Sequence, residues 1–149
     1  MRRDHFTVLT ENLDPAETAS PTLDVNYDGP EETLTEQLTT SKNDLIKASD
    51  IDAAYRFQGD SDESDAAGVF SLTHRVTGEF LLEFNVGGDA ILDLVRAARE
   101  TSEDDASYRI AINRGDGTPI VYCLDALLVY DSEGNLLRQQ SLIPSGVEL

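Results

Sequence analysis

Apolar and polar residues alternate with a period of two over much of this chain, and each such run predicts a half-buried strand. Phe6 to Leu13 is the first. Leu23, Val25 and Tyr27 alternate with Asp24, Asn26 and Asp28, giving one apolar and one polar face. Ile51, Ala53, Tyr55 and Phe57 alternate with Asp52 and Arg56. Val69 to His74 and Glu79 to Asn85 flank Arg75-Val76-Thr77-Gly78, a hairpin signal. Tyr108, Ile110 and Ile112 share a face, and Asn113-Arg114-Gly115-Asp116-Gly117 turns the chain into a strand from Ile120 to Leu124. Leu127 to Tyr130 and Asn135 to Gln140 flank Asp131-Ser132-Glu133-Gly134, a further hairpin.

Two segments have the helical period instead. One begins near Asp28-Gly29-Pro30, with proline at the first helical position and Glu31 and Glu32 at the positive end of the dipole. Leu34 and Leu38 give it a thin apolar stripe. The other runs from Asp89 to about Thr101, where Ile91, Leu94, Val95 and Ala98 follow the i, i+3, i+4, i+7 spacing of a docked face. Asp89 suits its N-cap, and Arg96 and Arg99 sit near its negative end.

The order strand, strand, helix, strand occurs twice. Leu23 to Gly29 parallels Leu82 to Gly88 before the helices, and Ala54-Tyr55-Arg56-Phe57 parallels Ser107-Tyr108-Arg109-Ile110 after them. The expected architecture is therefore one α+β domain over residues 1–149. It has a mainly antiparallel sheet of about seven to nine strands and two helices on one face, with a candidate duplicated ββαβ unit.

Composition changes the picture chiefly through charge. The 149 residues hold 29 acids and 11 bases, a net charge of −18. Self-repulsion of this size destabilises a compact domain in dilute buffer. At molar salt the Debye length falls to about 3 Å and the repulsion is screened. Nine of the bases are arginine, and Lys42 and Lys47 are the only lysines. An acidic, lysine-poor chain resembles the proteins of haloarchaea, which keep multimolar potassium chloride in the cytosol. Where every protein is acidic, sign says little about partners. Nucleic acid is set aside instead because no arginine patch with interleaved aromatics exists.

Export and membrane insertion are not expected. Arg2-Arg3 invites a twin-arginine reading, but Asp4, His5, Thr7, Thr10, Glu11 and Asn12 interrupt the apolar stretch that a signal needs. No run of about 18 apolar residues exists. A cytoplasmic location follows as the expectation. Cys123 is the single cysteine, so no disulfide forms within the chain.

Three stretches carry a family resemblance: the opening Met1 to Thr7, the central Arg75-Val76-Thr77-Gly78-Glu79-Phe80, and the ending Asp131 to Leu149. Together they resemble a small uncharacterised family of haloarchaeal proteins, a domain of unknown function, over the whole chain. The resemblance implies no activity, cofactor or catalytic residue.

Candidate chemistry is sparse. His5, His74 and Cys123 would form a zinc site only if three distant strands met. His74 reads instead as a hydrogen-bonded histidine at the edge of the core, and Cys123 as a core residue. Asp60, Asp62 and Ser64 have the odd-position spacing of a calcium loop, but Asp65 stands where glycine is needed and Ser71 where the bidentate glutamate belongs. Gly115-Asp116-Gly117 and Val86-Gly87-Gly88 lack the Lys-Ser/Thr ending of a phosphate loop. No catalytic or metal residues and no cofactor are assigned.

The tail, residues 141–149, is more apolar than its surroundings, and Pro144 and Gly146 forbid a regular helix there. It is expected to dock on its own domain or on a partner, with Leu142, Ile143, Val147 and Leu149 as contacts. Two functional classes follow. One is a non-catalytic protein-interaction or regulatory module that meets a protein partner or itself as a homodimer. The other is a small-molecule-binding domain or minor enzyme with a pocket between helix and sheet, with His74, Arg75 and Arg109 as polar contacts.

Overall fold

The computed structural model describes residues 6–11, 21–29, 31–39, 44–58, 67–101, 107–114 and 119–142. The fold is α+β and mostly strand. In chain order the elements are β1 (Phe6–Glu11), β2 (Thr22–Tyr27), α1 (Glu31–Gln37), β3 (Ile51–Phe57), β4 (Ala67–His74), β5 (Phe80–Gly87), α2 (Gly88–Thr101), β6 (Tyr108–Arg114), β7 (Ile120–Leu124) and β8 (Leu128–Tyr130). Two 3-10 turns, Ala48–Asp50 and Arg138–Gln140, complete them.

The eight strands form two mixed sheets of four, not one antiparallel sheet. The first has the order β1-β2-β6-β7 and the second β5-β4-β3-β8. Each contains one parallel pair, β2 with β6 and β3 with β8. The physical reason lies in the apolar faces. Most strands bury one face, clearest in the buried-exposed alternation of β3 and β7. Covering all those faces is beyond a 7-residue and a 14-residue helix. The sheets cover each other instead. Leu23, Val25, Ile110, Ile112 and Tyr122 from the first sheet join Tyr55, Phe57, Phe70, Leu72 and Phe84 from the second in one core.

The sheets meet where β1 approaches β5. Phe6 and Phe84 lie there with ring centroids 5.5 Å apart, and Phe84 stacks on Phe70 at 5.2 Å. Helix α2 packs against both β1 and β5 through its Ile91, Leu94, Val95 and Ala98 stripe, so it spans this junction rather than one sheet's face. Leu34 and Leu38 of α1 are fully buried in the same core.

The order strand, strand, helix, strand does occur twice, as β1-β2-α1-β3 and β4-β5-α2-β6. The pairings are not equivalent. β3 joins the second unit's first strand, β4, antiparallel, while β6 joins the first unit's second strand, β2, in parallel. A twofold axis would require matching partners, so the duplicated-unit expectation is not met by the pairing.

Gly68 is needed for close approach. A Cβ there would sit 2.4 Å from the Tyr55 hydroxyl, which passes beneath it to donate to the Val86 carbonyl at 2.8 Å. Gly78, at φ +75°, takes the left-handed position in the β4–β5 turn.

Candidate functional site

The segment after β8 departs from the expected strand and thereby builds a site. Asn135 to Gln140 is not a strand. Tyr130 bridges to Leu136 and Leu127 to Leu142, both antiparallel. Six residue steps lie on one side and three on the other, and the surplus coils out as the Arg138–Gln140 turn. Across this gap Ser141 stands in for the missing backbone partner. Its Oγ accepts from the Val129 amide at 2.8 Å and donates to the Leu137 carbonyl at 2.8 Å. Leu127 and Leu142 exchange both amide bonds at 2.8 Å. Arg99, at the end of α2, donates to the carbonyls of Gln139 and Ser141 and clamps the turn. Ser141 is fully buried and Leu142 nearly so.

Beside this capped edge lies an open groove of about 930 Å³. Strand register explains its floor. Asp52 pairs with Thr73 and Ala54 with Leu128, so these side chains share the outward face of the second sheet with Tyr130. Ser107, Cys123, Leu124, Asp125 and Ala126 supply a wall from the first sheet's end of the molecule, and Ala48 and Ser49 come from the 3-10 turn. The lining is small and apolar along Ala48, Ala53, Ala54, Ala126 and Leu128. Charge enters through Asp52, Arg75 and Asp125. The groove thus lies between the second sheet's outer face and the end of β7, not between a helix and a sheet.

Arg75 lines this groove. Its Nε donates to Asp52 Oδ1 at 2.9 Å, and its amide donates to the Asp50 carbonyl at 2.7 Å. His74 is its neighbour in chain but not in role. His74 Nδ1 accepts from the amides of Val76 and Thr77 at 3.2 and 3.3 Å, capping the β4–β5 turn. Arg109 is on β6 in the other sheet, opposite Cys123, and does not line the groove. The three sequence-chosen polar contacts are therefore split among groove, turn and second sheet. Leu142 is packed in the chain's own core, while Ile143, Val147 and Leu149 lie outside the described residues, as do His5 and the acidic loop 59–66.

Cys123 corrects the sequence reading. It is exposed, because Ile120, Tyr122 and Leu124 take the buried positions of β7 and alternation turns Cys123 outward. That signal was present in the period of two. Leu128, Tyr130 and Asp125 carry no motif and were not singled out. Among the described residues, no group of three or more His, Cys, Asp or Glu side chains is placed to hold a metal ion.

The electrostatics of the surrounding phenols are set by burial. Burial pushes the Tyr108 hydroxyl far above the usual phenol range, helped by the negative charge of Asp125, and the hydroxyl donates to the Ala126 carbonyl at 2.8 Å. Burial likewise raises Tyr55, with a smaller contribution from Asp89, and pushes Tyr122 up to about 12. Asp131, in the loop after β8, is held below the usual carboxylate range by the amides of Asn135, Glu133 and Gly134 and by the Asn135 side chain. Among the acids whose exposure the structure describes, none is buried. No helix among the described residues is long and apolar enough to cross a membrane.

The model of a family of unknown function, DUF5793, matches residues 1–149. No curated protein and no solved structure matches the chain.

Proposed function

Since the chain belongs, over its whole length, to a family whose function is unknown, we propose from its own geometry that it is a non-catalytic interaction or regulatory module that takes an extended apolar peptide segment in the groove beside β8. The observation that carries this reading is the lining. Alanine, leucine and isoleucine side chains make much of the floor and wall, and Arg75, the one cation among the described lining residues, already faces Asp52. Such a surface offers shape and apolar area to a peptide, with backbone and a single ion pair at the rim.

A small-molecule ligand is the second reading. The groove's volume of about 930 Å³ falls near the top of the usual range for ligand sites, roughly 300–1,000 Å³. Arg75 would then meet an anionic group after exchanging its partner Asp52.

The working environment is part of the same proposal. A net charge of −18, with no acid among the buried described residues, fits a haloarchaeal cytosol rich in potassium chloride. Circular dichroism across a potassium chloride series should show the folded signal fading as salt is withdrawn. Equal melting temperatures in dilute buffer and in brine would remove the salt reading.

The binding proposal is tested by NMR on the chain truncated after Leu142, in potassium chloride of roughly 2 M, where repulsion is screened. The probe is a synthetic peptide, Ile-Pro-Ser-Gly-Val-Glu-Leu, with a scrambled control. Saturable shifts at Ala126, Leu128 and Tyr130 that vanish in Leu128→Asp are the expected result. A groove that ignores apolar peptides but responds to small anions supports the second reading instead.

A further inference from the structure

We infer that the groove's resident occupant is the chain's own segment 143–149, so that a partner must displace it. The inference rests on the reading that the groove takes an extended apolar segment, and it names the regulation of that site. Three observations carry it. The first is direction. Leu136 to Leu142 runs antiparallel to β8 and its flank, and Leu142 is held to Leu127 by two backbone bonds. Leu127 adjoins Ala126, Asp125 and Leu124, all of which line the groove, so the described chain ends at Leu142 beside the groove's wall.

The second is reach. Seven residues extended at roughly 3.3–3.6 Å each span about 23–25 Å, enough to traverse a groove of this size from its rim. The third is chemistry. Ile143, Val147 and Leu149 are apolar, Glu148 is the one charge, and Pro144 and Gly146 keep the segment out of a helix. An alanine-and-leucine floor with room for side chains suits that segment.

Cys123, being the sole thiol and part of the groove wall, reports directly on occupancy. Its reaction with an aromatic disulfide reagent is timed in the full chain and in the chain truncated after Leu142. A segment seated about nine-tenths of the time slows labelling about tenfold, so truncation should speed it by that factor. Equal rates in two folded proteins would overturn the inference. Should truncation unfold the protein, a second measurement decides. Ser145→Cys, Gly146→Cys and Val147→Cys are each introduced into the full chain and oxidised at low concentration. A monomeric product lacking free thiol, strongest at one of these positions, supports the seated segment. Cross-linked dimers alone would give the groove to a second copy, and persistent free thiols would leave the segment elsewhere; either overturns it. Protection of Cys123 without any peptide response in the truncated chain would spare this inference and sink the binding module. Peptide shifts with an unprotected Cys123 would do the reverse.

Discussion

The two strands at one side of the molecule, β8 and β7, are both sheet edges, and they are finished differently. β8 is three residues long, and its outer backbone groups are met by Leu136, Leu137, Ser141 and Leu142. β7 has five residues without a charge, and among the described residues no strand pairs with its outer side. Unprotected edges invite pairing with another chain, and proteins usually blunt them with charge, brevity or cover. Here one edge has brevity and cover, while the other, among the described residues, has neither. The groove lies where the two ends come together. The comparison teaches that the segment capping β8 is structural up to Leu142, and that function is to be sought beyond it.

The largest difference should appear on truncating the cap. Leu142→Ala removes a buried side chain and should cost about 2–5 kcal/mol, depending on how far the site collapses. Ser141→Ala leaves the Val129 amide and the Leu137 carbonyl without their hydroxyl partner in a buried setting, at about 1–3 kcal/mol. Urea unfolding in molar potassium chloride measures both. If Leu142→Ala is no worse than an exposed substitution on β7, the distinction between the two edges fails.

The strands themselves were legible in the chain because burial on one face writes a period of two, and the helices were legible from their apolar stripes, although α2 begins at Gly88 and so holds Asp89 in its first turn rather than at its N-cap. Their assembly was not. The parallel pairing of Leu23 with Ile110 joins residues far apart in sequence, and nothing in either strand's alternation names its neighbour. The cap on β8 was misread as a hairpin strand because Leu136 and Leu137 look like strand residues, while the three surplus residues are visible only once both bridges are known. The candidate site was barely legible. Arg75 reached the groove, but alanines at 48, 53, 54 and 126 have no chemical signature until two distant segments come together.

A smaller effect sharpens the comparison through the tyrosines. Their raised pKa means that the neutral phenol is favoured in the fold. That stability is fully present below the unfolded value of about 10 and is lost as pH rises through the folded values, about 12 for Tyr122. Phenolate absorbance should therefore lag and then rise together with loss of the folded dichroism at alkaline pH. Near the capped edge, Tyr108→Phe gives up the bond to Ala126 and should cost about 0.5–1.5 kcal/mol. On β7, the Tyr122 hydroxyl has no hydrogen-bond partner among the described residues, so Tyr122→Phe should cost less than Tyr108→Phe. The reverse order would mean that the β7 hydroxyl has a partner beyond those residues.

The smallest effect on stability is expected at Val121, which is 48% exposed on β7. Val121→Lys changes a side chain that the fold hardly covers, so unfolding should move by no more than about 0.5 kcal/mol. Its consequence should be felt between molecules instead. As salt is lowered towards the point where the fold still holds, screening weakens, and an uncharged strand edge remains the surface best able to pair with a second chain. A lysine there interrupts the apolar run, as protected edges do. Light scattering at falling potassium chloride should then show less self-association in the variant than in the parent, at equal stability. A loss of more than about 1 kcal/mol would mean that Val121 is already covered in the folded chain, well beyond what an exposed position costs. The contrast between a finished and an open edge would then have to be given up.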